Sequence, residues 1–251
     1  MSTGIWSAAS GAVGKTTALD VAADNVANAM TPGFRAETAV FRQTLATAVD
    51  KTKGTQSLRY AITRTNVPLF TPGQIVDSGK PLDVAIEDPN AFFVVSTPQG
   101  ERYTRAGSFR LSQDGNLQLP DGTAVLGENH RPLQVDATQP NLAIDSEGNL
   151  IAGDSVTGMS TLGKLCIVKF PNLSGLQKEG HVLLKALPQA GTPTPYDGAV
   201  APGCVEQSNA NAVQGMTQLV TLSREFEMIT KVIEAFSTID HKAATDIASS
   251  R

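Results

Sequence analysis

Two stretches of this chain, one near each end, space their apolar residues in alternating steps of four and three, and the stretch between them does not. Near the start the less polar positions are Ile5, Ala9, Ala12, Thr16, Leu19, Ala23 and Val26. That rhythm predicts a helix with a narrow apolar seam of the coiled-coil kind. Gly4, Gly11 and Gly14 fall within it, and each costs a helix interior about 1 kcal/mol relative to Ala, so the helix should be weak alone. It is expected to stop near Asn28 to Met30, because the residue before Pro32 is pushed out of helical geometry and Gly33 offers a left-handed turn. From about Asn209 the rhythm returns through Leu219, Leu222, Phe226, Ile229, Ile233, Phe236, Asp240, Ala243 and Ile247. A helix from near Ala210 to Ala248 would run roughly 55 to 60 Å, too long for a small domain to cover. It is expected to project and to need partners. Asp240, followed by His241, is either a polar residue that fixes register or the start of a frayed end.

Between the helices the period shortens to that of strands: Leu58–Ile62, Leu82–Ile86, Phe92–Val95, Ser108–Leu111, Asn116–Leu119, Leu142–Ile144 and Leu162–Phe170. Asp114-Gly115, Asp121-Gly122 and Glu147-Gly148-Asn149 separate several of them and suit hairpin turns. The predicted class is α+β, with long terminal helices of coiled-coil type flanking a mostly antiparallel β centre. The expected division is residues 1–35 for the first helix and the turn after it, 36–80 a linking segment, 81–188 the β centre, 189–208 a proline- and glycine-rich return, and 209–251 the last helix.

Composition narrows what such a chain can do. Its 251 residues allow one or two domains, and 41% apolar against 18% charged residues suit a folded core. A net charge of -4 removes the electrostatic drive that nucleic-acid binding needs. Aromatics are scarce at 5%, so packing is expected to rely on small side chains. Cys166, Cys204, His130, His181 and His241 are too scattered for a metal knuckle, and no cofactor is expected. Cys166 suits a core position on a strand and Cys204 a half-exposed loop. The N-terminus has no basic start and no apolar run, and no window reaches membrane-spanning length, so a soluble protein without a cleaved signal is expected.

The sharpest chemical motif is Ala9–Thr16, which nearly spells a phosphate-binding loop ending in Lys15 and Thr16. Taken so, the protein would bind a nucleotide. Against this, Ala9 stands where the first Gly belongs, and too little chain precedes it for the buried strand such a loop needs. The same residues serve as a Gly/Ala-rich helix with one exposed Lys. Asp145, Glu147 and Asn149 place oxygens at alternate positions, but a hairpin turn explains them better than a calcium loop with strand-like flanks. No nucleophile elbow or zinc-binding helix is present, and no catalytic residue is expected.

The helix end Ala23–Arg35 carries an A-D-N-V-A-N run followed by T-P-G-F-R. Together with Val84–Ile86, Phe92-Phe93, Tyr103–Arg105, Gly107, Phe109, Val205–Asn209 and Arg224–Glu227, it resembles the signatures of the flagellar axial proteins, which build the rod and hook. The resemblance covers nearly the whole chain in order, with signature positions Asn25, Asn28, Thr31, Gly33, Phe34, Ser208, Asn209, Arg224 and Glu227. Glu87–Ala91 replaces the family's glycines before the central Phe pair, so the connection there is expected to differ. The resemblance implies a non-enzymatic subunit of the basal-body rod in the periplasm, exported by the flagellar apparatus without cleavage. It would assemble with itself and other rod proteins, with no nucleic-acid partner and no membrane insertion. The polymer interface would then comprise Ile5, Ala9, Ala12, Leu19 and Val26 with Leu219, Leu222, Phe226, Ile229, Ile233 and Phe236. A narrow seam buries little area per helix pair, so neighbours on several sides are needed. Residues 1 to about 35 and those beyond about 208 are expected to be loosely ordered in the free monomer.

Overall fold

The computed structural model of the chain describes residues 3–48, 56–135, 141–154 and 158–249. It divides into two compact units: Met1–Ala27, Glu37–Val67 and Asn211–Arg251 form a helical unit, and Asn28–Ala36 with Pro68–Ala210 form a β unit. The fold is α+β, with a helix toward each end and antiparallel sheets between.

The helical unit holds α1 (Thr3–Ala27), β1 (Glu37–Ala48), β2 (Gln56–Pro68) and α2 (Ala212–Ser249). The two helices pack antiparallel: Lys15 pairs with Glu225, while Val26 lies against Gly215. A Cβ on Gly215 would come within 2.5 Å of Val26 Cγ2, so only glycine admits this approach. On α2 Leu222 is buried, and Leu219, Phe226, Ile229, Ile233, Phe236 and Asp240 are half-buried together with Ala212, Gly215, Glu225 and Thr230. The side chains of Ala243 and Ile247 lie outside the described residues. On α1 the buried stripe differs from the predicted seam: Gly14, Val21 and Ala22 are buried, while Thr16 and Ala23 are exposed. Where every candidate is Ala, Gly or Thr, hydropathy hardly distinguishes neighbouring faces of a helix, and close approach decides.

The segment expected to link the halves contains β1 and β2, paired as a two-stranded sheet. β1 carries three Thr with Val40 and Phe41, and β2 two Thr with Tyr60, Ile62 and Val67, residue types that favour extended backbone. The helix ends at Ala27, as Pro32 and Gly33 lead one to expect, and Gly33 takes φ 72°. Residues 28–36, expected from sequence to be divided between the first-helix segment (to 35) and the link (from 36), belong to the β unit.

The β unit runs β3 (Ile75–Asp77), β4 (Val84–Ile86), β5 (Ala91–Thr97), β6 (Gly100–Thr104), β7 (Arg110–Leu111), β8 (Leu117–Gln118), β9 (Ala124–Val125), β10 (Ala143–Ile144), β11 (Asn149–Asp154) and β12 (Gly158–Lys164). It continues through β13 (Ile167–Lys169), β14 (Leu176–Glu179), β15 (Leu183–Ala186), β16 (Thr194–Pro195), β17 (Val200–Pro202) and β18 (Cys204–Glu206). The largest sheet runs β14-β15-β6-β5-β9-β8-β7, with β13 also paired to β5. Strand β5 is buried on both faces, which explains its unbroken apolar run Ala91–Val95. Phe93 and Val95 enter one cluster with Phe109 and Leu117, while Phe92 and Val94 enter another with Tyr103, Cys166 and Phe170. The scarce aromatics are thus concentrated here, with Phe93 against Phe109 at 5.2 Å and Tyr103 against Phe170 at 4.7 Å. The return stretch is extended as expected, but it also closes the unit: β17 pairs with β4 and β18 with β3.

Candidate assembly surface and motif junction

The helix pair answers the question raised by Ala9–Thr16. Helix α1 continues unbroken through Gly11 and Gly14, so its backbone N–H groups serve helical bonds and cannot curl around a phosphate. Lys15 Nζ donates to Glu225 Oε2 at 2.6 Å, and Thr16 Oγ1 donates back to Ala12 O. The nucleotide reading therefore loses its loop, its lysine and its hydroxyl. The Asp145 turn is likewise occupied by its own chain: Asp145 Oδ1 accepts from the backbone N–H of Glu147 and of Asn149 at 2.9 and 2.8 Å. Burial raises the Asp145 carboxyl, but hydrogen bonds from the Asn149 side chain and the turn backbone outweigh that and leave it lowered. Among the described residues no group of His, Cys, Asp and Glu could hold a metal, and no helix is long and apolar enough to cross a membrane.

Of the residues assigned to the polymer interface, Leu222 is buried against α1. Ile5, Ala9, Ala12, Leu19, Val26, Leu219, Phe226, Ile229, Ile233 and Phe236 are half-buried. Sequence reasoning missed a second set. Val213, Met216, Val220, Met228, Val232 and Ile239 on α2 are 47% to 74% exposed, as are Trp6 and Val13 on α1. Met228, Val232 and Phe236 line an open groove of about 640 Å³ whose other wall is Ser7, Ala8 and Gly11. These exposed positions are visible in the sequence only once the seam is known, because they flank it at helical spacing.

The signature residues separate into two settings. Asn25 in the helical unit makes a reciprocal pair, Nδ2 donating to Glu37 O at 2.8 Å and Oδ1 accepting from Glu37 N at 2.9 Å. Arg224 and Glu227 are exposed and line a shallow depression with Leu19 and Leu219. The others lie in the β unit. Asn28 accepts from Thr31 through both its carbonyl and its side chain. Gly33 donates its N–H to Glu206 O at 2.7 Å, and a Cβ on it would strike the Ala106 backbone at 2.2 Å. Phe34 is fully buried with Lys178 Nζ 3.9 Å above its ring. Ser208 Oγ accepts from Ala210 N.

Three separated motifs meet at one carboxylate. Glu206 is 1% exposed, between Arg35 and Arg105 at 3% each. Arg35 Nη2 lies 2.7 Å from Glu206 Oε1, Arg105 Nε donates to Oε2 at 2.6 Å, and Gly73 N donates to Oε1 at 2.9 Å. Burial lowers the Arg35 pKa from its ordinary value; the Glu206 charge opposes this and the Arg105 charge adds to it. Arg35, Arg105 and Glu206 all stand in quoted motifs, but nothing in a sequence marks a charged residue as buried.

Three family models match successive segments: "Flagella basal body rod protein" over residues 6–35, "Flagellar hook protein FlgE/F/G D1 domain" over 85–152 and "Flagellar basal body rod FlgEFG protein C-terminal" over 201–245. The flagellar basal-body rod protein FlgF of Escherichia coli (strain K12) is 33% identical, covering 89% of this chain and 88% of that protein. The flagellar basal-body rod protein FlgG of Bacillus subtilis (strain 168) is 30% identical, covering 91% and 93%. FlgF of Mesorhizobium japonicum is 29% identical, covering 92% of each. The class is that of the hook and rod proteins. Within it, the chain belongs to the flagellar basal-body rod protein family.

Proposed function

We infer that this chain is a non-enzymatic structural subunit of the bacterial flagellar basal-body rod, and that its helical unit is the part that polymerises. The observation that carries the polymerisation is the set of apolar side chains left exposed on α2 on either side of the half-buried seam: Val213, Met216 and Val220 on one flank, Met228, Val232 and Ile239 on the other. Water-exposed Met and Val at helical spacing give a neighbouring helix something to bury. The small residues on α1 and Gly215 on α2 let backbones approach closely, which suits packing of the coiled-coil type. Repeated head-to-tail contacts that do not close a ring generate a helical shaft, and such a shaft passes torque to hook and filament by packing alone.

The half-buried seam residues and the exposed flanks together form the interface, with other rod proteins and further copies of this chain as partners. The partners exclude nucleic acid, and the chain does not insert into the membrane. The finer reading is a proximal-rod subunit of FlgF type in the periplasm, with FlgG type as the alternative. The short stretch between Arg35 and Leu58 is what favours FlgF. Export through the flagellar apparatus fits ends that are loosely ordered in the free monomer, and these can be only α1 and α2, because residues 28–36 and 208–210 belong to the β unit; rapid trimming of both helices by protease, leaving a β fragment, is the expected result.

The direct test puts charge on each exposed flank. Val220→Glu and Val232→Glu are expected to preserve the circular dichroism of the purified chain and abolish swimming and recovery in basal bodies. Normal swimming by both variants removes the assembly role from these flanks. Expression in strains lacking either their FlgF-type or their FlgG-type protein decides between the two types.

A further inference from the structure

The chain passes between the β unit and the helical unit at four places, after residues 27, 36, 67 and 210. Inside the β unit, three of these crossings converge on two side chains. Asn209 Oδ1 accepts from Ala36 N at 2.7 Å, and its Nδ2 donates to Leu69 O and Thr71 O at 2.8 and 2.9 Å. Leu69 N donates to Ala36 O at 2.7 Å. Three residues away, Glu206 takes Arg35 on one side, Gly73 on another and Arg105 behind.

The two arginines differ in how well the fold serves them. Arg105 is satisfied by the β unit itself, donating to the carbonyls of Ile86, Asp88 and Ala91 as well as to Glu206. Arg35 donates to Thr71 O at 2.9 Å and holds its Nη2 2.7 Å from Glu206 Oε1, but its buried Nε has no hydrogen-bond partner among the described residues. Two buried cations thus share one carboxylate. A buried charge left without its counterion is strongly destabilising. With Arg35 removed, Glu206 still keeps Arg105, so no charge is left bare.

We propose that Glu206 and Asn209 form a clamp that gathers the chain crossings of the β unit into one junction, with Arg105 as its fixed seat and Arg35 as its releasable bolt. The clamp is a property of the solitary chain and does not depend on the rod reading. Neutralising Glu206 sets two guanidinium groups against each other, and the segment held by the less satisfied one opens first. Segments 33–36 and 69–73 therefore let go together while the β5 core stays closed.

Hydrogen exchange on the purified full chain tests this. Glu206→Gln is expected to speed exchange at Gly33, Ala36, Leu69 and Gly73 by about tenfold or more while leaving Val94 and Leu126 within about twofold. Arg35→Met alone has a smaller effect, and adding Arg35→Met to Glu206→Gln restores part of the protection, which a merely space-filling Glu206 would not allow. Asn209→Ala, read the same way, loosens Ala36 and Leu69 and serves if Glu206→Gln does not fold. Uniform acceleration through the β5 core, unchanged protection at the four amides, or no recovery in the double variant overturns the clamp.

Discussion

Among the described residues, the helical unit buries Val21, Ala22 and Leu222 as its apolar core, whereas the β unit buries Phe34, Phe92, Phe93, Phe170 and a series of Val, Leu and Ile side chains. The helical unit also leaves Val and Met exposed on α2. The β unit closes its core on both faces of β5 and draws residues 28–36 and 204–210 into its own structure. One unit closes its apolar core with its own chain, and the other leaves apolar side chains in water. On the proposed reading, substitutions in the first damage folding and those in the second damage assembly.

The comparison can be broken most forcefully in the β core. Phe93→Ala removes a ring stacked edge-on to Phe109 and is expected to cost about 3–5 kcal/mol, measured by urea unfolding. A loss near that of a surface substitution would mean that the β unit is not closed. Gly215→Leu ranks next. It drives a side chain into Val26 and should lower helicity by circular dichroism while leaving near-ultraviolet signals of the β rings in place.

Thiol labelling sharpens the contrast further. Burial pushes Cys166 up to about 11, so it stays a neutral thiol at ordinary pH and should label far more slowly than half-exposed Cys204. Equal rates would show an open core. Lys15→Ala breaks a partly exposed pair with Glu225 and is expected to cost about 0.2–1 kcal/mol, with no change in any nucleotide signal.

The smallest effect concerns acid. The hydrogen bond from Lys169 holds the Asp88 carboxyl below its ordinary value. Its stabilisation is present above the unfolded carboxylate range, about pH 3.9, and is lost as pH falls through the lowered folded value. Asp88→Asn should therefore flatten the acid limb of the stability curve slightly, and an unchanged limb would assign that limb to other carboxylates.

The terminal helices and the antiparallel centre were legible because their periods differ, 3.5 against 2. Helix α2 displays its stripe clearly, since Leu, Ile and Phe alternate with charged residues. Helix α1 does not, because Ala, Gly and Thr carry almost the same hydropathy and close contact selects among them. Of the β1–β2 pair, Leu58–Ile62 within β2 is legible as a strand while β1, where alternation is weak, reads as a link, and Glu206 escapes because a carboxylate reads as surface until two arginines are seen around it.

Asn209 has a consequence for any isosteric exchange at this position. Its amide nitrogen faces the oxygens of Leu69 and Thr71 while its amide oxygen faces an N–H. Asn209→Asp keeps the shape and reverses one pole, setting oxygen against oxygen. A change of one amide nitrogen for oxygen at this position would turn the junction's own holding contacts into repulsion, with every neighbouring residue left as it was.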